Sequence, residues 1–140
     1  MVGIVLVGHC NLAEEFHKTV KAIVGEVDYF ISVRVEFDDV PDKSMKRVSD
    51  AIKKVDNGDG VLVLTDMFGG TPSNLSLSFL EEDRVEVLSG VNVPMLIRLI
   101  TLRESKKKNL MVLAKDLKSY GRKNICIASE ILKRRDASNG

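Results

Sequence analysis

Two uninterrupted aliphatic runs constrain this chain more than anything else in it. Val2-Gly3-Ile4-Val5-Leu6-Val7 and Val61-Leu62-Val63-Leu64 carry no polar residue, are rich in β-branched side chains, and are bounded by Gly8 and Gly60. A strand with one wet face alternates apolar and polar, whereas a strand apolar at every position is buried on both faces. Helices must then cover both sides of the sheet, and the segments between the runs supply them. The expected fold is α/β: a doubly wound, mostly parallel four-stranded sheet flanked by helices.

The remaining elements follow in order. Asn11 is a suitable N-cap, with Glu14 placed to complete a capping box, and Leu12, Phe16, Val20 and Ile23 recur at helical spacing until Gly25 ends the helix. Gly8 is expected to turn the chain tightly before that helix. Between Tyr29 and Phe37, Ile31, Val33, Val35 and Phe37 alternate with Ser32, Arg34 and Glu36, which marks a strand at or near the sheet edge. Asp38 to Asp42 is a turn into a helix whose buried stripe is Met45, Val48, Ile52 and Val55, closed by Asn57-Gly58-Asp59-Gly60. After the second apolar run, Thr71 is an N-cap with Pro72 at the first helical position, and Leu75, Phe79 and Leu80 extend that helix. Val85 to Ser89 is a fourth strand. Asn92 caps a helix through Pro94, Met95, Leu96, Leu99 and Ile100, and a further helix runs from Asn109 to Tyr120, stopped by Gly121. Asn124 to Ala128 has the character of a short extra strand, although Ile125-Cys126-Ile127 could equally continue a helix. Residues 1–132 are expected to form one domain, followed by a polar, frayed tail, 133–140.

Composition excludes several classes of function. With 140 residues, 44% hydrophobic, and 21 basic against 20 acidic side chains, the chain has room for one core and lacks the basic excess of a large nucleic-acid footprint. Lys106-Lys107-Lys108 is the one local exception, a solvated loop or a dock for an acidic partner. Cys10 and Cys126 match no zinc or dithiol spacing. No apolar run approaches the ~18–20 residues of a membrane helix, and no signal peptide is evident, so a cytoplasmic location is expected.

The chemistry gathers at strand ends. The first, third and fourth strands finish in His9, in Asp66 with Gly69-Gly70-Thr71, and in Gly90-Val91-Asn92. In an open α/β sheet all three lie on the carboxyl edge, where ligands bind. A neutral imidazole is a nucleophile when one ring nitrogen is free and an acceptor fixes the other. Asp66 is the strand-end carboxylate available for that role. The Gly69-Gly70-Thr71-Pro72 turn, opening a helix, offers backbone N–H groups and a hydroxyl to an anion, phosphate above all. Together they indicate phosphoryl transfer through a phosphohistidine. His17 sits among Glu14, Glu15, Lys18 and Lys21, which indicates a solvated helix face. The arginine that a thiolate phosphatase needs after its cysteine is missing, since Phe16 stands in its place. Neither G-x-x-x-x-G-K-[ST] nor G-x-G-x-x-G occurs, and the acidic pair that would hold Mg²⁺ in a receiver-type domain is replaced by Gly8-His9-Cys10-Asn11.

Gly8-His9, Asp66-Met67-Phe68-Gly69-Gly70-Thr71-Pro72-Ser73-Asn74 and Gly90-Val91-Asn92-Val93-Pro94-Met95-Leu96, in that order and spacing, resemble the IIA component of the mannose family of the sugar phosphotransferase system (PTS). The resemblance implies a phosphocarrier whose histidine, here His9, accepts phosphoryl from the carrier HPr and passes it to a IIB component. It implies that Asp66 orients His9, that Thr71 helps hold the phosphate, and that no metal or cofactor takes part. It also implies a homodimer exchanging an antiparallel edge strand, which would occupy the Asn124–Ala128 segment. Met67-Phe68 departs from the family pattern of Thr or Asp followed by Trp, so the apolar collar of Met67, Phe68 and Val91 is kept but reshaped. Gly69, Gly70 and Asn92 complete the expected phosphate and partner contacts. The receiver could be a sugar-transport IIB, a dihydroxyacetone-kinase system or a regulatory target. A module that only senses its phosphorylation state, and an ordinary anion-binding domain, are the competing readings.

Overall fold

The computed structural model describes residues 1–104 and 109–139, so the triple-lysine run lies outside the described residues. The chain runs β1 (Gly3–His9), α1 (Leu12–Val24), β2 (Phe30–Val35), α2 (Pro41–Val55), β3 (Val61–Thr65), α3 (Thr71–Leu77), β4 (Val85–Ser89), α4 (Val93–Leu102), α5 (Leu110–Lys123) and α6 (Ala128–Asn139). The four strands are parallel in the order β2-β1-β3-β4. The two aliphatic runs are therefore the two interior strands, as their composition requires. The alternating β2 lies at an edge.

Side-chain alternation divides the core into two layers. Ile4, Leu6, Leu62 and Leu64 face α1, α4 and α5, joined there by Val20, Leu96, Leu99, Leu113 and Leu117. Val5, Val7, Val61 and Val63 point to the opposite face, against Val48, Ile52 and Val55 of α2. Leucines predominate in the first layer and valines in the second. At roughly 1.5–3 kcal/mol for each fully buried aliphatic side chain, these two layers dominate the stabilisation of the fold. On the β2 edge, Arg34 forks onto the Glu14 carboxylate of α1, with both contacts at 3.0 Å.

Several local expectations are corrected. Gly8 remains in β1 and is buried; a Cβ there would lie 3.2 Å from the Ala13 nitrogen, so its role is to admit the start of α1. The turn falls on Cys10, at φ +53°. Asn11 makes no side-chain cap, its backbone standing at φ −94°, ψ 14° and not in the extended conformation a cap adopts, and Glu14 is engaged by Arg34 instead of closing a capping box. Gly70, not Thr71, is the N-cap of α3, which ends at Leu77, short of Phe79 and Leu80. Gly121 does not stop α5. It lies inside that helix, where a Cβ would stand 2.7 Å from Met95 Cε, so its smallness admits α4. Nor does the Asn124–Ala128 segment form a strand in the single chain: residues 125–127 pair with no strand and α6 follows, taking in most of the tail expected to be frayed. A strand needs a neighbouring edge, and within one chain this segment reaches none. Ile125, Ile127 and Leu132 are left exposed.

Candidate active site

The strand order reverses between β1 and β3, whose chain connections leave in opposite directions. The crevice at their carboxyl ends is where such sheets bind ligands. β1 delivers His9 to this point, and β3, paired Val7 to Thr65, delivers Asp66 beside it. One carboxylate oxygen, Asp66 Oδ2, accepts both the His9 backbone N–H at 2.9 Å and the ring Nδ1–H at 2.7 Å. The other, Oδ1, accepts the Met67 N–H at 2.9 Å. A carboxylate can only accept, so Nδ1 carries the proton, and in the neutral ring Nε2 keeps its lone pair.

Asp66 is nearly buried and His9 partly exposed, with 10% and 25% of their side-chain surfaces accessible. Burial pushes the Asp66 carboxyl pKa up. The backbone and ring N–H groups of His9, its charge when protonated, and the Met67 N–H outweigh that burial, so the pKa lies below the ordinary carboxylate value. The carboxylate thus stays ionised as the imidazole's partner.

The glycine turn closes against the ring. A Cβ on Gly70 would lie 2.8 Å from His9 Cε1 and 3.2 Å from Nε2, so only glycine lets the start of α3 come this near. Gly69 is at φ +87° with nothing near its missing Cβ, and its requirement is conformational. Thr71, exposed at the start of α3, lines a cleft of about 210 Å³ together with His9, Val35, Phe37 and Leu75. Met67 and Phe68 stand on the surface, 54% and 72% exposed.

Two candidates are placed elsewhere. Val91 packs behind Asp66 with Leu12 and Phe16. Asn92 accepts the Met95 N–H at 3.0 Å and donates to the Gly121 carbonyl at 3.1 Å, tying α4 to α5. Phe37 was missed by sequence reasoning. It follows β2, and its ring centroid lies 5.8 Å from that of His9. The signal was available: in a parallel sheet every strand ends at the same edge, and β2 adjoins β1 with Val35 beside His9. His17 is not solvated as expected. It stacks on Phe30 at 4.1 Å, and burial, then the Lys21 charge, hold its pKa below the ordinary imidazole value against the opposing charge of Glu26. Among the described residues no group of three or more His, Cys, Asp or Glu side chains is arranged to hold a metal ion.

Residues 3–115 match the family EIIA-man, described as PTS system fructose IIA component. The chain belongs to this family. The PTS fructose-specific EIIA component of Bacillus subtilis (strain 168) is 29% identical over 140 residues, covering 99% of this chain and 94% of that one. The mannose-specific EIIAB component of Escherichia coli (strain K12) is 29% identical over 104 residues, 74% of this chain and 32% of its own length. Among solved structures, the PTS IIA protein associated with the fucose utilization operon of Streptococcus pneumoniae superposes with a TM-score of 0.82 at 26% identity, covering 94% of this chain and 99% of that one. The protein is an EIIA component of the mannose/fructose family, a phosphotransfer component of sugar transport. No described helix of this EIIA is long and apolar enough to cross a membrane.

Proposed function

We propose that this EIIA is a phosphocarrier in which His9 takes a phosphoryl group from the phosphohistidine of HPr and passes it to an EIIB component. The observation that carries this reading is the 2.7 Å bond from His9 Nδ1 to Asp66, which leaves Nε2 as the free nucleophilic nitrogen at the rim of a cleft. In the transfer the Nε2 lone pair forms the new N–P bond. The donor's N–P bond breaks, and its electron pair stays on the donor ring. The Nδ1 proton remains in place, and Asp66 offsets the positive charge that develops on the His9 ring. Thr71 and the free backbone N–H groups opening α3 hold the phosphoryl oxygens, since the first N–H groups of a helix have no intrahelical acceptor. Such a reaction is governed by in-line positioning and charge stabilisation, and neither metal nor cofactor is called for.

His9→Ala should abolish acid-labile labelling by phospho-HPr, while His17→Ala retains it; the reverse pattern would overturn the assignment. Incubating the labelled protein with EIIB tests onward transfer, and a label that stays put would identify a regulatory sensor instead. The fusion named in the EIIAB relative supports EIIB as the receiver. Exposed Ile125, Ile127 and Leu132 support pairing of the C-terminal segment with a second copy of the chain, testable by sedimentation.

A further inference from the structure

Phe37 is the most exposed large apolar side chain of the described residues, at 89%, yet it stands on a tightly held turn. The Asp39 N–H donates to the Glu36 carbonyl at 3.2 Å, closing a turn with Phe37 at its first corner. The Asp39 carboxylate then locks that turn from within. Its Oδ2 accepts the Glu36 N–H at 2.8 Å, the Ser44 hydroxyl at 3.4 Å and the Arg47 guanidinium. Phe37 itself is thereby held out over His9, with ring centroids 5.8 Å apart and planes 33° from parallel. A rigid turn presenting an aromatic ring to solvent has the form of a preorganised contact, where little conformational freedom is left to lose on binding.

The cleft beneath Phe37 indicates what binds. Its volume of about 210 Å³ is below the ~300 Å³ at which small-molecule pockets begin. It is of a size for one ring side chain carrying a phosphoryl group. Phe37 stands beside His9 on the β2 side, and exposed Met67 and Phe68 follow directly on Asp66 at the end of β3. An exposed aromatic contact beside a reactive ring suits a protein partner whose own ring enters the cleft.

We infer that Phe37, held by the Asp39-locked turn, is the docking residue for the phosphorylated donor protein, seating the donor's phosphoimidazole in the cleft beside His9. This rests on the phosphocarrier reading and adds a recognition element from the edge strand. Asp39 acts through Phe37 and is a positioning residue.

The test compares a protein donor with a small one. Phe37→Ala should raise KM for phospho-HPr on the order of tenfold, the scale of a truncated aromatic hot spot, with kcat little changed. Labelling of His9 by phosphoramidate, which has no protein surface to dock, should fall far less than labelling by phospho-HPr. Phe37→Leu should recover part of the lost affinity. Asp39→Ala should reproduce the KM effect, and Asp39→Asn should soften it by keeping an acceptor for the Glu36 N–H. An unchanged KM in Phe37→Ala overturns the inference, and so does an equal loss with both donors, which would place the effect on His9. If phospho-HPr fails to label the unaltered protein, the phosphocarrier reading has failed, and that result is distinct because no variant is needed to see it.

Discussion

Gly70→Ala isolates how closely the glycine turn is fitted to the reactive ring. Gly70 has φ −85° and ψ 169°, which alanine adopts without strain, so the backbone is not perturbed. The added methyl, however, falls 2.8 Å from His9 Cε1. Carbon atoms pack at ~3.5 Å or more, so the ring must retreat by about 0.7 Å. That movement strains the 2.7 Å bond to Asp66 and displaces Nε2 from its line of attack. A misplacement approaching 1 Å costs on the order of 10- to 100-fold in rate, or about 1.4–2.7 kcal/mol of transition-state stabilisation. Single-turnover labelling by phospho-HPr gives the rate, and thermal unfolding verifies the fold. Gly69→Ala is the counterpart: its methyl meets nothing, but φ +87° costs on the order of 1–2 kcal/mol, so Tm should fall by several degrees. If Gly70→Ala labels at the unaltered rate with an unchanged Tm, the ring is not confined as described and the reasoning is wrong.

Asp66→Ala should slow labelling by phospho-HPr on the order of 100-fold or more while leaving protein–protein affinity intact, because it frees the ring and removes the charge opposite it; comparable rates in the two proteins would refute the dyad. Asp66 also bears on acid stability: with its folded pKa depressed, its contribution is complete above the ordinary carboxylate value of 3.8 and is lost as pH falls through the lower folded value. His17, whose folded pKa is lowered by burial, must cost stability as pH drops below 6.5 toward that lower value, so His17→Leu should flatten the decline in Tm over that window. Arg103→Met should destabilise on the order of 3 kcal/mol, read by denaturant unfolding. It removes a buried guanidinium that donates to the carbonyls of Val2, Asp28 and Tyr29.

The parts of this molecule legible in the sequence are those fixed by period and by topology. The aliphatic runs announced β1 and β3, and a parallel sheet then obliged His9 and Asp66 to meet although they lie far apart in the chain. What stayed hidden depends on a partner that local pattern does not name. Glu14 could have closed a capping box, but Arg34 reaches it from β2. Gly121 has the chemistry of a helix stop, and the close approach of Met95 keeps it inside α5. His17 has charged neighbours in sequence and Phe30 as its neighbour in space. Phe37 was treated as the last residue of an edge strand, when that strand's position next to β1 also makes it a neighbour of the reactive ring.

The carboxyl edge of the sheet divides labour between its strands. His9 and Asp66 stand at the ends of the two interior strands, whereas Phe37 is carried past the edge strand on a turn that Asp39 ties to Ser44 and Arg47 of α2. Reactivity and recognition are therefore mechanically separable. Residues 36–40 can be exchanged as a cassette, retaining the Asp39 lock, to redirect the protein toward a different donor without touching the pair of residues that performs the transfer.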